Sequence, residues 1–371
     1  MLRVEPLGFS RRDRARFLDV EFALNRRDPL WVPPLRFDRM RMFDPKTNAL
    51  FRHTDIAHFV AVRGGRDVGR IAAVSNPRHR EIHGEHVGFF GFLEAGDDAE
   101  VLNALLDAAA DRARAAGATA LRGPLSYDIN GVVGALVEPF DAPPRILMPY
   151  NRPALPGLLE AAGFRPAKDV VAWDKPNTIL PPRLARIAER IGRREGIRIR
   201  SVRMSHFAEE VEIVRRLYNS AWEKNWGFLP LTDAEIDDLA RDLKPVIDPE
   251  LVYFAEVEGK PVGFALALPD LNEALRGHRS GRLFPIGIFR LLFRRRWITY
   301  ARIFALGVAP EFRNRGLEVL LYAEMGVRTS RLGYAGVECG WILEDNDAMN
   351  KGIAAAGATI TRRYRIYDRP L

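Results

Sequence analysis

The chain has 371 residues, 47% hydrophobic and 28% charged, with a formal net charge of +8. That length suits two domains at ~100–200 residues each, and the composition excludes a disordered or fibrous chain. The lone cysteine, Cys339, rules out an intramolecular disulfide and a CxxC metal cluster.

The N-terminus, MLRVEPLGFSRRDRARF, lacks the apolar core of a signal peptide, and no apolar run reaches the ~18 residues of a bilayer span. A cytoplasmic protein is expected. Arginine far outnumbers lysine, and the basic excess favours an anionic partner without choosing one. The arginines are scattered and no helix-turn-helix or zinc-finger spelling is present, so no nucleic-acid partner is expected. The seven histidines show neither HxH nor HxxxH spacing, and no metal site is expected.

Taken in order, Arg3 to Leu7 reads as a short strand, and Ser10 as the cap of a helix running to about Asn25. Residues 28 to 55 carry no period and are expected to be irregular. Ala57–Val62 and Val68–Val74 flank Gly64-Gly65 as a hairpin. A strand at His86–Leu93, an alanine-rich helix from Ala99 to about Ala116, and a strand at Ala120–Pro124 follow. Asn151–Phe164 reads as a short helix ending in glycine, and Asp169–Trp173 as a strand.

The second half repeats this order. Ile197–Val202 is a strand and His206–Trp222 a helix. Leu251–Val257 and Val262–Leu268 form a hairpin around Glu258-Gly259-Lys260. Ile298–Val308 is a strand, Gly316–Leu332 a helix, Ala335–Trp341 a strand, Asn346–Ala358 a short helix and Arg362–Tyr367 a last strand. A repeated order implies two copies of one mixed-sheet α/β fold. The expected division is 1–175, a linker over 176–195 with Pro181-Pro182 and a basic helix, and 196–371.

One stretch, IFALGVAPEFRNRGLEVL from Ile303 to Leu320, carries the chemistry. An apolar strand breaks at Pro310, turns through Arg313-Asn314-Arg315-Gly316, and enters a helix. The first amides of a helix are unpaired and carry its positive end, and arginines beside them add charge-assisted donors. Val308-x-Pro310-x-x-Arg313-x-x-Gly316 resembles the signature of the GNAT superfamily of acyl-CoA-dependent N-acyltransferases. The resemblance implies two tandem GNAT-like domains of mixed-sheet α/β (α+β) class, the first degenerate. It implies acetyl-CoA or a longer acyl-CoA as co-substrate, with Arg313, Asn314, Arg315, Gly316 and Leu317 around the pyrophosphate. Leu306, Gly307 and Val308 would offer backbone to the pantetheine, and Asn346 matches the family's contact to the same arm. Glu318 departs from the Gly or Ala usual at its place, and puts a carboxylate where phosphate is expected. In the first half the matching position is Glu94-Ala95-Gly96-Asp97-Asp98, whose acids would repel a pyrophosphate. The layout is also similar to uncharacterised bacterial tandem-GNAT proteins that share WVPPL (Trp31–Leu35), Gly123-Pro124, NWGF (Asn225–Phe228) and GRLFP (Gly281–Pro285) stretches.

Acyl transfer to an amine needs a base for the amine proton and an acid for the leaving thiolate. The family commonly uses a tyrosine as the acid, seven residues after the asparagine of the last helix. Counting from Asn346 reaches Ile353 instead. Candidate bases are Glu223, Asp270 and Glu338, with Glu273 and Glu344 behind them. The expected acceptor is an amine-bearing small molecule or lipid, the donor thioester could instead ride on an acidic acyl carrier protein, and the alternative function is a non-catalytic acyl-CoA-binding module. Between strands lies an apolar insertion, Leu283 to Trp297, with Arg290 and Arg294 to Arg296. Its apolar groups must pack on the core, lid the donor cleft over a long acyl chain, or make peripheral membrane contact through 283–297, and of these the lid is expected.

Overall fold

The computed structural model describes residues 1–176, 179–293 and 296–371. Arg294 and Arg295 of the apolar insertion therefore lie outside the described residues. The chain divides into two compact units. One comprises Met1–Val170, Leu275–Leu292 and Arg362–Leu371; the other comprises Val171–Ala274 and Phe293–Thr361.

In chain order the elements are β1 (Leu2–Leu7), α1 (Arg11–Asn25), α2 (Arg36–Met42), β2 (Asp55–Arg63), β3 (Arg66–Ser75), α3 (Pro77–His83), β4 (Val87–Glu94), α4 (Ala99–Ala115), β5 (Ala120–Gly123), β6 (Ala135–Glu138), α5 (Leu155–Ala161) and β7 (Arg165–Lys175). They continue as α6 (Pro182–Gly192), β8 (Ile197–Ser201), α7 (Phe207–Ala221), α8 (Asp233–Leu243), β9 (Val252–Val257), β10 (Lys260–Pro269), α9 (Leu271–Leu275), α10 (Ile288–Leu292), β11 (Tyr300–Val308), α11 (Leu317–Arg331), β12 (Gly336–Leu343), α12 (Asp347–Ala355) and β13 (Thr359–Pro370).

In the first unit β1 to β4 are an antiparallel meander and β4 pairs in parallel with β5. The crossover between the parallel strands is α4, as a parallel pair requires. Asp98 caps it by accepting from the Val101 amide, and Val101, Leu102, Leu105, Leu106, Ala109 and Ala113 bury its apolar stripe. The residues from Arg362 onward belong to this unit, and Tyr367↔Gly123 and Asp368↔Arg122 pair the end of β13 with β5. One expectation fails here. Residues 36–42 form α2 inside the stretch expected to be irregular, and α3 and β6 were not foreseen. These elements span one or two turns or a few residues, too few for a period to show.

In the second unit β8, β9, β10 and β11 are antiparallel neighbours, and β11 pairs in parallel with β12 through the crossover helix α11. Leu317, Leu320, Leu321 and Met325 of α11 pack with Ala188 and Ile191 of α6, Ile353 of α12 and the apolar face of the sheet. The helix α8 was not expected, although its capping box, Thr232 with Glu235, stands in the sequence.

Candidate functional site

The site grows from how β11 is paired. Along β10 its register slips between Leu266 and Ala267, which face Ala305 and Ile303, so Phe304 is an extra, bulged residue. With β12 the pairing runs from Tyr300↔Gly336 to Ile303↔Cys339, and no rung beyond that joins the described residues. Both strands continue, to Val308 and Leu343. The sheet therefore forks, and Phe304 to Val308 present backbone groups along one arm. Leu306, Gly307 and Val308, read from sequence as that arm, do lie on it, with Leu306 and Val308 buried.

Gly307 is glycine because the end of α7 crowds it. A Cβ there would lie 2.9 Å from the Ala221 Cβ and 3.0 Å from the Trp222 ring. Trp222 in turn meets Tyr218 at 4.7 Å and Phe264 at 5.9 Å between ring centroids, and Tyr218 meets Phe228. An aromatic wall thus stands beside the fork.

Beyond Val308 the chain turns through Pro310–Phe312 and reaches Asn314 with φ +61° and Gly316 with φ +84°. Both are left-handed, a region that asparagine tolerates and glycine favours. At Gly316 a Cβ would also lie 2.4 Å from Ile191 Cδ1. Gly316 caps α11 without any side-chain bond, so the first amides of a fifteen-residue helix are left to an outside acceptor. Such an end fits the pyrophosphate of a CoA-type substrate. Asn314 and Arg315 are exposed, and Arg315 lies over the Phe312 ring at 4.8 Å. Arg313 sits differently: Nη2 donates to the Ala221 carbonyl at 2.7 Å and Nε to Val308 O at 3.4 Å, so its guanidinium ties the turn to α7. The Leu317 side chain is buried, which leaves its backbone to face the turn. Glu318 is half-buried in the first turn of α11.

Asn346 caps α12 by accepting from the Met349 amide at 3.2 Å. Ile353 is buried in the core beside α11. The three candidate bases are spread along the sheet. Glu223 is exposed just after α7, at the same end as the Arg313 anchor. Asp270 is buried, its amide donating to Tyr300 O at the opposite end of β11, and its carboxylate accepts from the Asn272 amide. Glu338 is buried on the rung before the fork, on the sheet face opposite Cys339, with Arg302 Nε 3.9 Å away across the register pair Arg302↔Glu338. Arg302 Nη2 also donates to Gly340 O at 2.7 Å, on the diverging arm of β12. Arg302 was passed over in the sequence, where its one signal is a charge inside the apolar run of β11. Glu273 accepts from the Thr299 and Tyr300 amides and holds backbone.

Cys339 is buried, and desolvation pushes its thiol up to about 12, so it is a packed thiol rather than a nucleophile.

The first unit closes the matching place. There β4 and β5 pair only from Val87↔Ala120 to Phe89↔Arg122. Past that rung the chain's own loop fills the gap: Leu125 N donates to Phe90 O at 2.8 Å, and a Cβ on Gly91 would lie 1.6 Å from Leu125 O. Tyr127 in this loop is buried, its hydroxyl 2.8 Å from His58 Nε2.

Two copies of a forked mixed sheet, one with an open helix terminus, give this chain a tandem GNAT fold. A solved tandem GNAT protein from the clavulanic acid biosynthesis pathway superposes with a TM-score of 0.59 at 15% identity, over 100% of this chain and 98% of that one. The chain is 37% identical over 363 residues to the bacterial ceramide synthase of Caulobacter vibrioides, covering 96% of this chain and 94% of that protein. It is 33% identical over 370 residues to Protein YghO of Escherichia coli, covering 98% and 94%. The chain belongs to the family of these two proteins. No protein-family model matches it. No helix among the described residues is long and apolar enough to cross a membrane.

Proposed function

We propose that this protein transfers an acyl group from an acyl-CoA thioester to the amine of a lipid, reached by peripheral contact with a membrane. The observation that carries the reading is the fork of β11 and β12 leading straight into the uncapped terminus of α11. A pantetheine arm would take the free backbone of Leu306 to Val308, and the pyrophosphate the amides after Gly316, with Arg315 and Asn314 beside them. Asn346, at the cap of α12, stands as the further contact to the arm. The acceptor class rests on the likeness to the Caulobacter ceramide synthase. A carrier-protein thioester uses the same fork, and the basic charge of the chain suits an acidic carrier.

In the transfer, the amine nitrogen attacks the thioester carbonyl carbon, the C–N bond forms and the C–S bond breaks. The amine proton goes to a carboxylate and is relayed through water to the departing thiolate, which leaves as the thiol, since Ile353 offers no hydroxyl. Of the three acids, Glu338 is the base of this reading, because it alone stands in the β11–β12 ladder, one rung inside its open end. Arg302 faces it across the rung as a counter-ion, 3.9 Å away.

Incubation of the protein with palmitoyl-CoA and a long-chain amino alcohol should give the amide and free CoA in equal amounts by mass spectrometry. Glu338→Gln should lower turnover ~10²–10⁴-fold while acyl-CoA affinity is unchanged. Absence of amide with every long-chain amine tried would sink the transfer; turnover of the Gln variant within about threefold of the parent would move the base elsewhere.

A further inference from the structure

The segment from Leu275 to Leu292 packs in the first unit, and its base is fastened there. Arg279 Nη1 donates to Asp28 O at 2.7 Å and Trp31 O at 2.9 Å. Arg36 returns two bonds, from its amide to Gly281 O and from Nε to Ser280 O. Gly281, at φ +61°, lies against Phe22 so closely that a Cβ would come within 2.6 Å of the ring. The His278 ring meets Arg282 O at 2.7 Å, and Arg290 Nη1 donates to Arg276 O at 2.8 Å.

On this anchored base the apolar groups face outward. Phe284 is 69% exposed, Ile286 55%, Phe289 58% and Leu292 69%. Packing on the chain's own core, one of the three fates open to this segment from sequence, is therefore not what these four side chains do. A cluster of large apolar groups in water marks an interaction surface. Charge decides the partner: from Ala274 to Ile298 the sequence has seven arginines and no aspartate or glutamate. Arg276, Arg282 and Arg296 are exposed. Aromatic and aliphatic groups flanked by arginine alone match an interface of acyl chains under anionic headgroups.

We infer that Phe284, Ile286, Phe289 and Leu292 dock this protein on the surface of an anionic bilayer, with the flanking arginines on the headgroups. The attachment is monotopic, and it deepens the proposed function by bringing the enzyme to where a lipidic amine resides; for that purpose alone it rests on the lipid-acceptor reading.

Co-sedimentation of the full chain with phosphatidylglycerol and with phosphatidylcholine vesicles, without donor or acceptor, tests it. The parent should partition at least tenfold more strongly to the anionic vesicles and be released by high salt. Phe284→Ser/Phe289→Ser/Leu292→Ser, all exposed and so neutral to folding, should lower partition at least tenfold with an unchanged circular dichroism spectrum. Equal partition to both vesicles, no partition, or full binding by the triple variant would overturn the inference. So would a parent dimer in solution that the triple variant dissolves, which would make a second copy the occupant. Because vesicle binding is read without turnover, its failure leaves the transfer reaction standing, and failure of the reaction leaves the surface standing.

Discussion

The two copies of the fold part ways where a parallel strand hands over to its crossover helix. In the first unit that handover is closed three times. Asp98 occupies the end of α4 by accepting from the Val101 amide at 3.1 Å, and its carboxylate is held by Arg63. Asp97 is clamped by Arg152. The gap past Phe89↔Arg122 is filled by the loop through Leu125 and Tyr127. In the second unit the end of α11 has no side-chain cap, the turn is held open by left-handed Asn314 and Gly316, and β11 and β12 diverge. The lesson is that the proposed ligand site is made by withholding bonds. The first unit satisfies the matching groups itself: the Asp98 carboxylate takes the Val101 amide, and the loop's Leu125 amide takes the Phe90 carbonyl.

The strongest way to break that difference is to remove the cations of the open turn. Arg313→Ala with Arg315→Ala should weaken CoA binding by about 2–4 kcal/mol, ~1–2 from the lost Arg315 contact and the rest from the loosened turn. The two act differently. Loss of Arg313 frees the turn from Ala221 and Val308, so it should also lower thermal stability, whereas loss of Arg315 should change affinity alone. Calorimetric titration with CoA decides: a double variant that binds like the parent would put the phosphates elsewhere.

How far this was legible in the sequence depends on the range of each interaction. Gly316, Asn314 and the apolar run before them are local demands, and the motif shows them. The meander strands and the two long crossover helices were likewise visible from period and caps. What Arg313 touches was not, because its acceptor lies ninety-two residues away along the chain, and a phosphate and a carbonyl call for the same donor. The Arg302–Glu338 pair depends on the register of two parallel strands, which neither strand states alone. The capping box of α8 was legible and was passed over.

A second test sharpens the contrast from the closed side. The first unit sets half-buried Glu94 with buried Glu21 around Arg70, and Asn25 Nδ2 donates to Glu94 at 3.0 Å. Desolvation raises the Glu94 pKa to about 7, with Arg70 opposing and Glu21 adding to it. A carboxyl raised in the folded state favours folding below its unfolded pKa, and that contribution is lost as pH rises through about 7. Between pH 4.5 and 8 the parent should therefore lose roughly 2–3 kcal/mol on account of this group. Glu94→Gln keeps the shape and removes the titration, so its stability curve in urea should be flatter over that window. Identical pH slopes for parent and variant would show that Glu94 does not titrate there.

The smallest expected effect concerns the one acid that the open terminus retains. Glu318 lies in the first turn of α11, where a carboxylate favours the helix by ~0.3–1 kcal/mol. A phosphate at the same end must share that positive potential with it, so the residue that steadies the helix opposes the ligand. Glu318→Ala should thus lose a few tenths of a kcal/mol or more of stability and yet bind CoA about fivefold more tightly, about 1 kcal/mol. The donor form adds a control. A carrier-protein thioester brings no adenosine diphosphate, and its affinity should respond far less to the substitution than that of acyl-CoA. If both donors gained equally, Glu318 would be repelling something other than the pyrophosphate; if acyl-CoA bound more weakly, the carboxylate would be shaping the turn, and the open terminus would owe its form to an acid after all.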